Sequence, residues 1–117
     1  VARDGENMAL RDLIAQALTR RPLSPAQRKL FQILREAGPE GINKEDLSAA
    51  LELTGHQMAG LMGALGRRTQ ETRGAAELNE HLGLNGGITL MMEITYRGED
   101  TLYRARPELL SALDNVL

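Results

Sequence analysis

The chain has 117 residues, 42% of them hydrophobic and 26% charged, with a formal net charge of −2. That length suits one compact domain with a single core, and the slight acidic excess argues against a protein that coats nucleic acid without specificity, which relies on a surplus of Lys and Arg. The absence of cysteine excludes disulfides and thiolate metal sites, and no apolar run approaches the roughly 20 residues that cross a bilayer, so a domain without a membrane partner is expected.

Residues 6–20 place Leu10, Leu13, Ile14, Ala17 and Leu18 at helical spacing on one apolar face. Arg20, Arg21 and Pro22 end that helix, the arginines lying near the negative end of its dipole. Ser24-Pro25 reads as an N-cap followed by proline in the first turn, and Leu30, Ile33, Leu34 and Ala37 give a second helix over 25–37, stopped by Gly38-Pro39. Asn43 can cap a short helix whose inward residues are Leu47, Ala50 and Leu51, broken near Leu53.

The segment TGHQMAGLMGALGRR, residues 54–68, follows after a tight turn. It opens with a Thr-x-x-Gln capping box and carries Met58, Leu61, Met62 and Leu65 on one face. Glycines at 60, 63 and 66 each cost about 1 kcal/mol against alanine inside a helix, which raises the question of what a nearly bare surface provides. Angular spacing puts His56, Gly60, Gly63 and Arg67 opposite the apolar stripe. From 54 to 74, Arg67, Arg68 and Arg73 face one acid, Glu71, so positive charge gathers at the end of this helix.

Residues 72–87 are polar and glycine-rich, with 75–82 expected to form a helical turn or two inside a long connection that is either a functional insertion or a mobile stretch. The period then changes from 3.6 to 2, with Ile88, Leu90, Met92, Ile94 and Tyr96 alternating against mostly polar neighbours, which predicts strands at 88–96 and 101–106. A two-residue Gly98-Glu99 turn sets Arg97 opposite Asp100, Glu93 opposite Arg104 and Ile94 opposite Tyr103, giving two charge pairs on one face and an apolar pair on the other. Pro107 starts a closing helix with Leu109, Leu110, Leu113 and Val116.

The expected organisation is therefore one mainly α domain over 1–117 with a small β hairpin: an N-terminal helix in 1–22, a core in 23–106 and a C-terminal helix in 107–117. The segments SPAQRKLFQILREAG, NKEDLSAALELTGHQMAGLMGALGRR and MMEITYRGEDTLYRAR together resemble the winged helix-turn-helix superfamily across residues 24–106. The flanking helices are similar in position to those that build dimers in MarR-like bacterial regulators. What the resemblance implies is a cytoplasmic DNA-binding module of a transcriptional regulator or of a larger DNA-processing protein, with double-stranded DNA as partner and helix 54–68 in the major groove. His56 and Gln57 would then face bases, Gly60 and Gly63 would permit close approach, and Arg67, Arg68 and Arg73 would hold phosphates.

Small residues on a helix also permit close packing against another protein chain. A winged-helix interaction or dimerisation module that does not bind DNA is the alternative, and the acidic hairpin tip Gly98-Glu99-Asp100 favours it, because a wing that probes the minor groove is usually basic. The apolar faces of 6–20 and 107–117 suggest a homodimer. The start at Val1, without a charged-then-apolar signal segment, suggests a domain of a longer chain with further domains as partners. His56 and His81 have no metal-ligand spacing, no serine has a recognisable histidine and acid partner, and no glycine motif follows a strand to cradle a nucleotide. No catalytic residue, metal or cofactor is expected.

Overall fold

The computed structural model describes residues 2–84 and 86–117, with side chains from Ala9 onward. Val1, at the start of the expected first helix, and Asn85, within the expected 72–87 connection, lie outside the described residues. Helix α1 (Ala2–Thr19) begins the chain and presents Leu10, Leu13, Ile14, Ala17 and Leu18 to the core at 0–5% exposure. Helix α2 (Pro25–Ala37) is fixed at its start by a reciprocal box: the Ser24 hydroxyl accepts from the Gln27 amide and the Gln27 side chain accepts from the Ser24 amide, each at 3.1 Å. Leu30, Phe31 and Leu34 are its buried face.

A single 3-10 turn (Gly38–Glu40) leads into β1 (Ile42–Asn43), a two-residue strand that the periodicity of the sequence does not show. Gly41 between them has φ +79°, and a Cβ there would lie 2.5 Å from the Tyr103 carbonyl oxygen, so the position demands glycine twice over. Helix α3 (Lys44–Leu51) is capped as expected by Asn43, whose Oδ1 accepts from the Asp46 amide at 2.7 Å. It ends at Glu52 in the left-handed region, φ 57°. Only Leu53 and Thr54 then separate that residue from α4 (Gly55–Gln70), and the Thr54–Gln57 capping box forms in both directions.

Residues 75–82 form a packed helix, α5 (Ala75–Leu82), with Ala75 and Asn79 buried and the Asn79 amide nitrogen donating to Gln70 Oε1 at 2.9 Å. The helix expected at 75–82 is thus present, and it packs on the core through Ala75 and Asn79. Residues expected to begin a strand at Ile88 instead form the short helix α6 (Gly87–Met91). Leu90, Met91 and Met92 are all fully buried, and a strand with one solvent face cannot bury three successive side chains, whereas a helical turn leading into a strand can.

Strands β2 (Met92–Arg97) and β3 (Asp100–Ala105) pair antiparallel in the expected register, Arg97 with Asp100, Glu93 with Arg104 and Ile94 with Tyr103. Gly98 in the turn has φ +60°, the sign that a glycine-first hairpin turn needs. β1 adds to the other edge of β3, giving an antiparallel sheet in the order β1-β3-β2. Helix α7 (Pro107–Leu113) closes the chain with Leu109, Ala112 and Leu113 buried.

One apolar cluster unites all of these elements, and α7 packs along α1. The apolar faces that suggested a homodimer are therefore engaged within one chain, which removes the argument for that assembly. Among the described residues no helix is long and apolar enough to cross a membrane.

Candidate nucleic-acid interface

The surface of α4 follows from its burial pattern. Met58, Leu65 and Thr69 are buried and Leu61 and Met62 partly so, which turns His56, Ala59, Gly60 and Arg67 outward, with Gly63 half-buried between them. A Cβ at Gly60 would meet nothing within 4 Å, and one at Gly63 would meet only Arg67 Nη1, at 3.6 Å. The expected stripe of His56, Gly60, Gly63 and Arg67 is thus assembled on one open face. Gln57 stands at its N-terminal edge; its Oε1 accepts from the Thr54 amide at 2.9 Å, which leaves the side-chain NH2 as its free donor group.

Gly66 behaves differently. Its Cβ position lies 3.7 Å from Ile88, and α6 crosses α4 here with Gly87 set against the Gly66 carbonyl. The glycines of α4 accordingly divide in two: Gly66 accommodates a packed neighbour, while Gly60 and Gly63 leave the outer face bare.

Arg68 lies one residue, or 100°, around the helix from Arg67 and points the other way. Its Nη1 donates to the carbonyls of Ala17 at 3.0 Å and Arg21 at 2.7 Å, and its Nη2 to the Pro22 carbonyl at 3.0 Å and to Gln27 Oε1 at 3.4 Å. This corrects its assignment as a phosphate contact: the guanidinium closes the end of α1 onto α4. Burial, and then repulsion from Arg21 and Arg20, lower its pKa from the ordinary value.

Arg73 is also apart from the stripe. It lines a groove of about 420 Å³ between α1 and α5, with Asp12, Gln16 and Glu77. Arg67 lines a different groove, of about 500 Å³, with Arg21, Gln27 and Glu71. Arg21 Nη2 lies 3.3 Å from Glu71 Oε2, and Arg20 Nη2 donates to the Arg68 carbonyl at 3.0 Å. Arg20, Arg21 and Glu71 are the charged residues of this region that the linear sequence does not bring to notice, because the first two lie about 50 residues from the third and read as the end of α1.

At the hairpin the register is as expected but the charge pairs are not. Glu93 Oε1 lies 3.6 Å from Arg106 Nη1, and neither Glu93–Arg104 nor Arg97–Asp100 forms an ion pair among the described residues. Arg106 is held for this by its Nε, which donates to the Thr89 carbonyl at 2.7 Å. The Arg104 stem lies instead against Gly41, with its Nε buried and without a hydrogen-bond partner. Tyr96, two residues before the acidic tip, is 76% exposed.

Comparison with protein-family models, with curated proteins and with solved structures returns no match.

Proposed function

We propose that the chain is a winged helix-turn-helix module that binds double-stranded DNA through α4, as part of a cytoplasmic bacterial-type regulator or a larger DNA-processing protein. The observation that carries the reading is the uncovered face of α4. It opens at a capped N-terminus with His56 and Gln57, continues across Gly60 and Gly63 where no side chain keeps a duplex away, and ends at the exposed Arg67. The tight link from α3, and the sheet in which β1 flanks the β2–β3 hairpin, support the winged arrangement. In this reading His56 and the Gln57 NH2 meet base edges, the glycines admit the groove wall, and Arg67 holds a phosphate. Arg73 is a phosphate contact only where the duplex extends beyond the stripe. Few long polar side chains face outward, so sequence is read largely through DNA shape.

The test is binding to random-sequence duplex across a salt series. Each phosphate neutralised contributes about −0.9 to the slope of log K against log salt, so Arg67, joined by Arg73 where the duplex reaches it, gives an expected slope of about −1 to −2. A parent protein without salt-dependent binding overturns the reading.

A second reading is favoured by the acidic hairpin tip, Glu99 and Asp100, beside the exposed Tyr96. It is a protein-docking module, whose partner would present basic groups and an apolar recess for the tyrosine. Loss of binding to such a partner on Tyr96→Ala, with no DNA binding by the parent, is the outcome that selects it.

A further inference from the structure

Two arginine pairs, 47 residues apart in sequence, meet where the chain turns from α1 to α2. Arg20 and Arg21 directly follow Thr19, the last residue of α1, and Arg67 and Arg68 lie in the last turn of α4 before its C-cap at Glu71. The Arg68 guanidinium is fixed on the carbonyls of Ala17, Arg21 and Pro22, and Arg20 on those of Arg68 and Glu71. Arg21, Arg67 and Arg68 line one groove of about 500 Å³ in which Glu71 is the one carboxylate, and Arg20 stands beside it on Glu71 and the Arg68 carbonyl. Glu71 lies 3.3 Å from Arg21 and 3.9 Å from Arg20, and no carboxylate among the described residues pairs with Arg67. The excess positive charge is felt within the groove, since Arg21 and Arg20 both act to lower the pKa of Arg68 after burial has done so.

We propose that this groove binds a phosphate group, gripped by the exposed Arg21 and Arg67 with Arg20 and Arg68 held behind them, and that Glu71 is the internal anion the phosphate displaces from Arg21. The planar guanidinium fork matches two phosphate oxygens at once. A dianion also relieves the repulsion among the four cations more fully than one carboxylate does, so its binding raises the melting temperature by mass action. The phosphate belongs either to the DNA backbone or to a free phosphate-bearing small molecule. Arg67 belongs both to the α4 stripe and to the groove, so a duplex lying along α4 would bring a backbone phosphate to it. The groove itself does not depend on the DNA reading.

Inorganic pyrophosphate is the probe, titrated at low ionic strength while the amide resonances of residues 20–28 and 64–72 are followed. Arg21→Ala and Arg67→Ala are each expected to weaken binding about fivefold, on the scale of one exposed charge-assisted hydrogen bond. Glu71→Gln is expected to tighten it by a similar factor. Arg73→Ala and Glu77→Gln change the net charge by the same amounts but lie in the other groove, and leave the affinity unchanged.

If Glu71→Gln binds no tighter than Glu77→Gln, or if Arg73→Ala weakens binding as much as Arg21→Ala, the attraction is diffuse and the groove proposal falls. The same variants, titrated with a 12-base-pair duplex, separate the two sources. A duplex that follows the pyrophosphate ranking identifies a backbone phosphate. Pyrophosphate binding without duplex binding keeps the groove and overturns the DNA reading. Duplex binding without the pyrophosphate ranking overturns the groove alone.

Discussion

The carbonyl oxygen of Gly66 occupies the place where a Cβ on Gly87 would stand, and the Gln70 amide nitrogen lies 2.9 Å from the same point. Backbone meets backbone there, so neither partner can yield by rotating a side chain. Gly87→Ala is therefore expected to separate α6 from α4 and to destabilise the fold by about 1–3 kcal/mol, the usual cost of overpacking. Gly60→Ala, at an open helix position, is expected to stabilise by up to about 1 kcal/mol. Urea midpoints of the two variants, moving in opposite directions, check the assignment; movement of both in one direction refutes it.

Arg68 gives the second expectation. Four of its five N–H groups are used on α1, the following turn and Gln27, and removing them leaves the part-buried Ala17 carbonyl, with the more exposed ones of Arg21 and Pro22, without this donor. Hydrogen bonds from a charged donor contribute about 1.5–3 kcal/mol each when buried and less where water reaches them. For this partly exposed cluster Arg68→Ala should lower stability by about 2 kcal/mol. Arg67→Ala should change it by less than about 0.5 kcal/mol, as expected of an exposed residue.

The contrast between these neighbours shows what was legible in the sequence. Helical period and cap chemistry are local, and so α2, α3, the Thr54–Gln57 box and the outward stripe of α4 could be read directly. The hairpin register was legible as well, because pairing Ile94 with Tyr103 and turning at Gly98 are local demands. The direction of Arg68 depends on carbonyls about 50 residues away, and no periodicity encodes that. The alternation of Ile88, Leu90 and Met92 was a true pattern misread: close packing against Gly66 overrode it and wound the segment into α6. The same kind of long-range contact added β1 to the sheet and turned Glu93 from Arg104 to Arg106.

Tyr103 links stability to alkaline pH. It is buried on β3 between Ile42 and Ile94, and burial, with a smaller contribution from Tyr96, raises its pKa above the ordinary 10.0. A phenol with a raised folded-state pKa holds its proton more tightly in the folded than in the unfolded chain. Its contribution is therefore complete below the unfolded value and is lost as pH rises past about 10 through the folded one. Urea midpoints from pH 8 to 11 should fall more steeply for the parent than for Tyr103→Phe; equal slopes would refute the assignment.

Removing residues 1–21 tests whether α1 is part of the core or part of a dimer interface. Its five buried apolar side chains are 0–5% exposed, and full burial of a residue of this kind contributes roughly 1.5–3 kcal/mol. Their loss is comparable to the roughly 5–15 kcal/mol that holds a domain folded. The truncated chain should give an unfolded circular-dichroism spectrum and sediment poorly. A folded truncated monomer would show that α1 is dispensable and restore the argument for an interface.

The bare face of α4 provides the last and most direct test, because fold and binding can be separated at one position. A side chain at Gly60 meets nothing within 4 Å, so Gly60→Ala and Gly60→Glu should both fold. If the duplex lies against this face, alanine is tolerated or weakens binding about threefold, on the order of 0.7 kcal/mol. Glutamate sets a negative charge where phosphates approach and should abolish binding. Arg67→Ala should reduce affinity for all sequences alike and flatten the salt slope by about 1, as expected for one phosphate contact. Arg68 is left out of this series because its replacement disturbs the fold. Should Gly60→Glu bind as the parent does, with its helical spectrum intact, DNA does not lie on this face and the surface of α4 is better understood as a site for another protein.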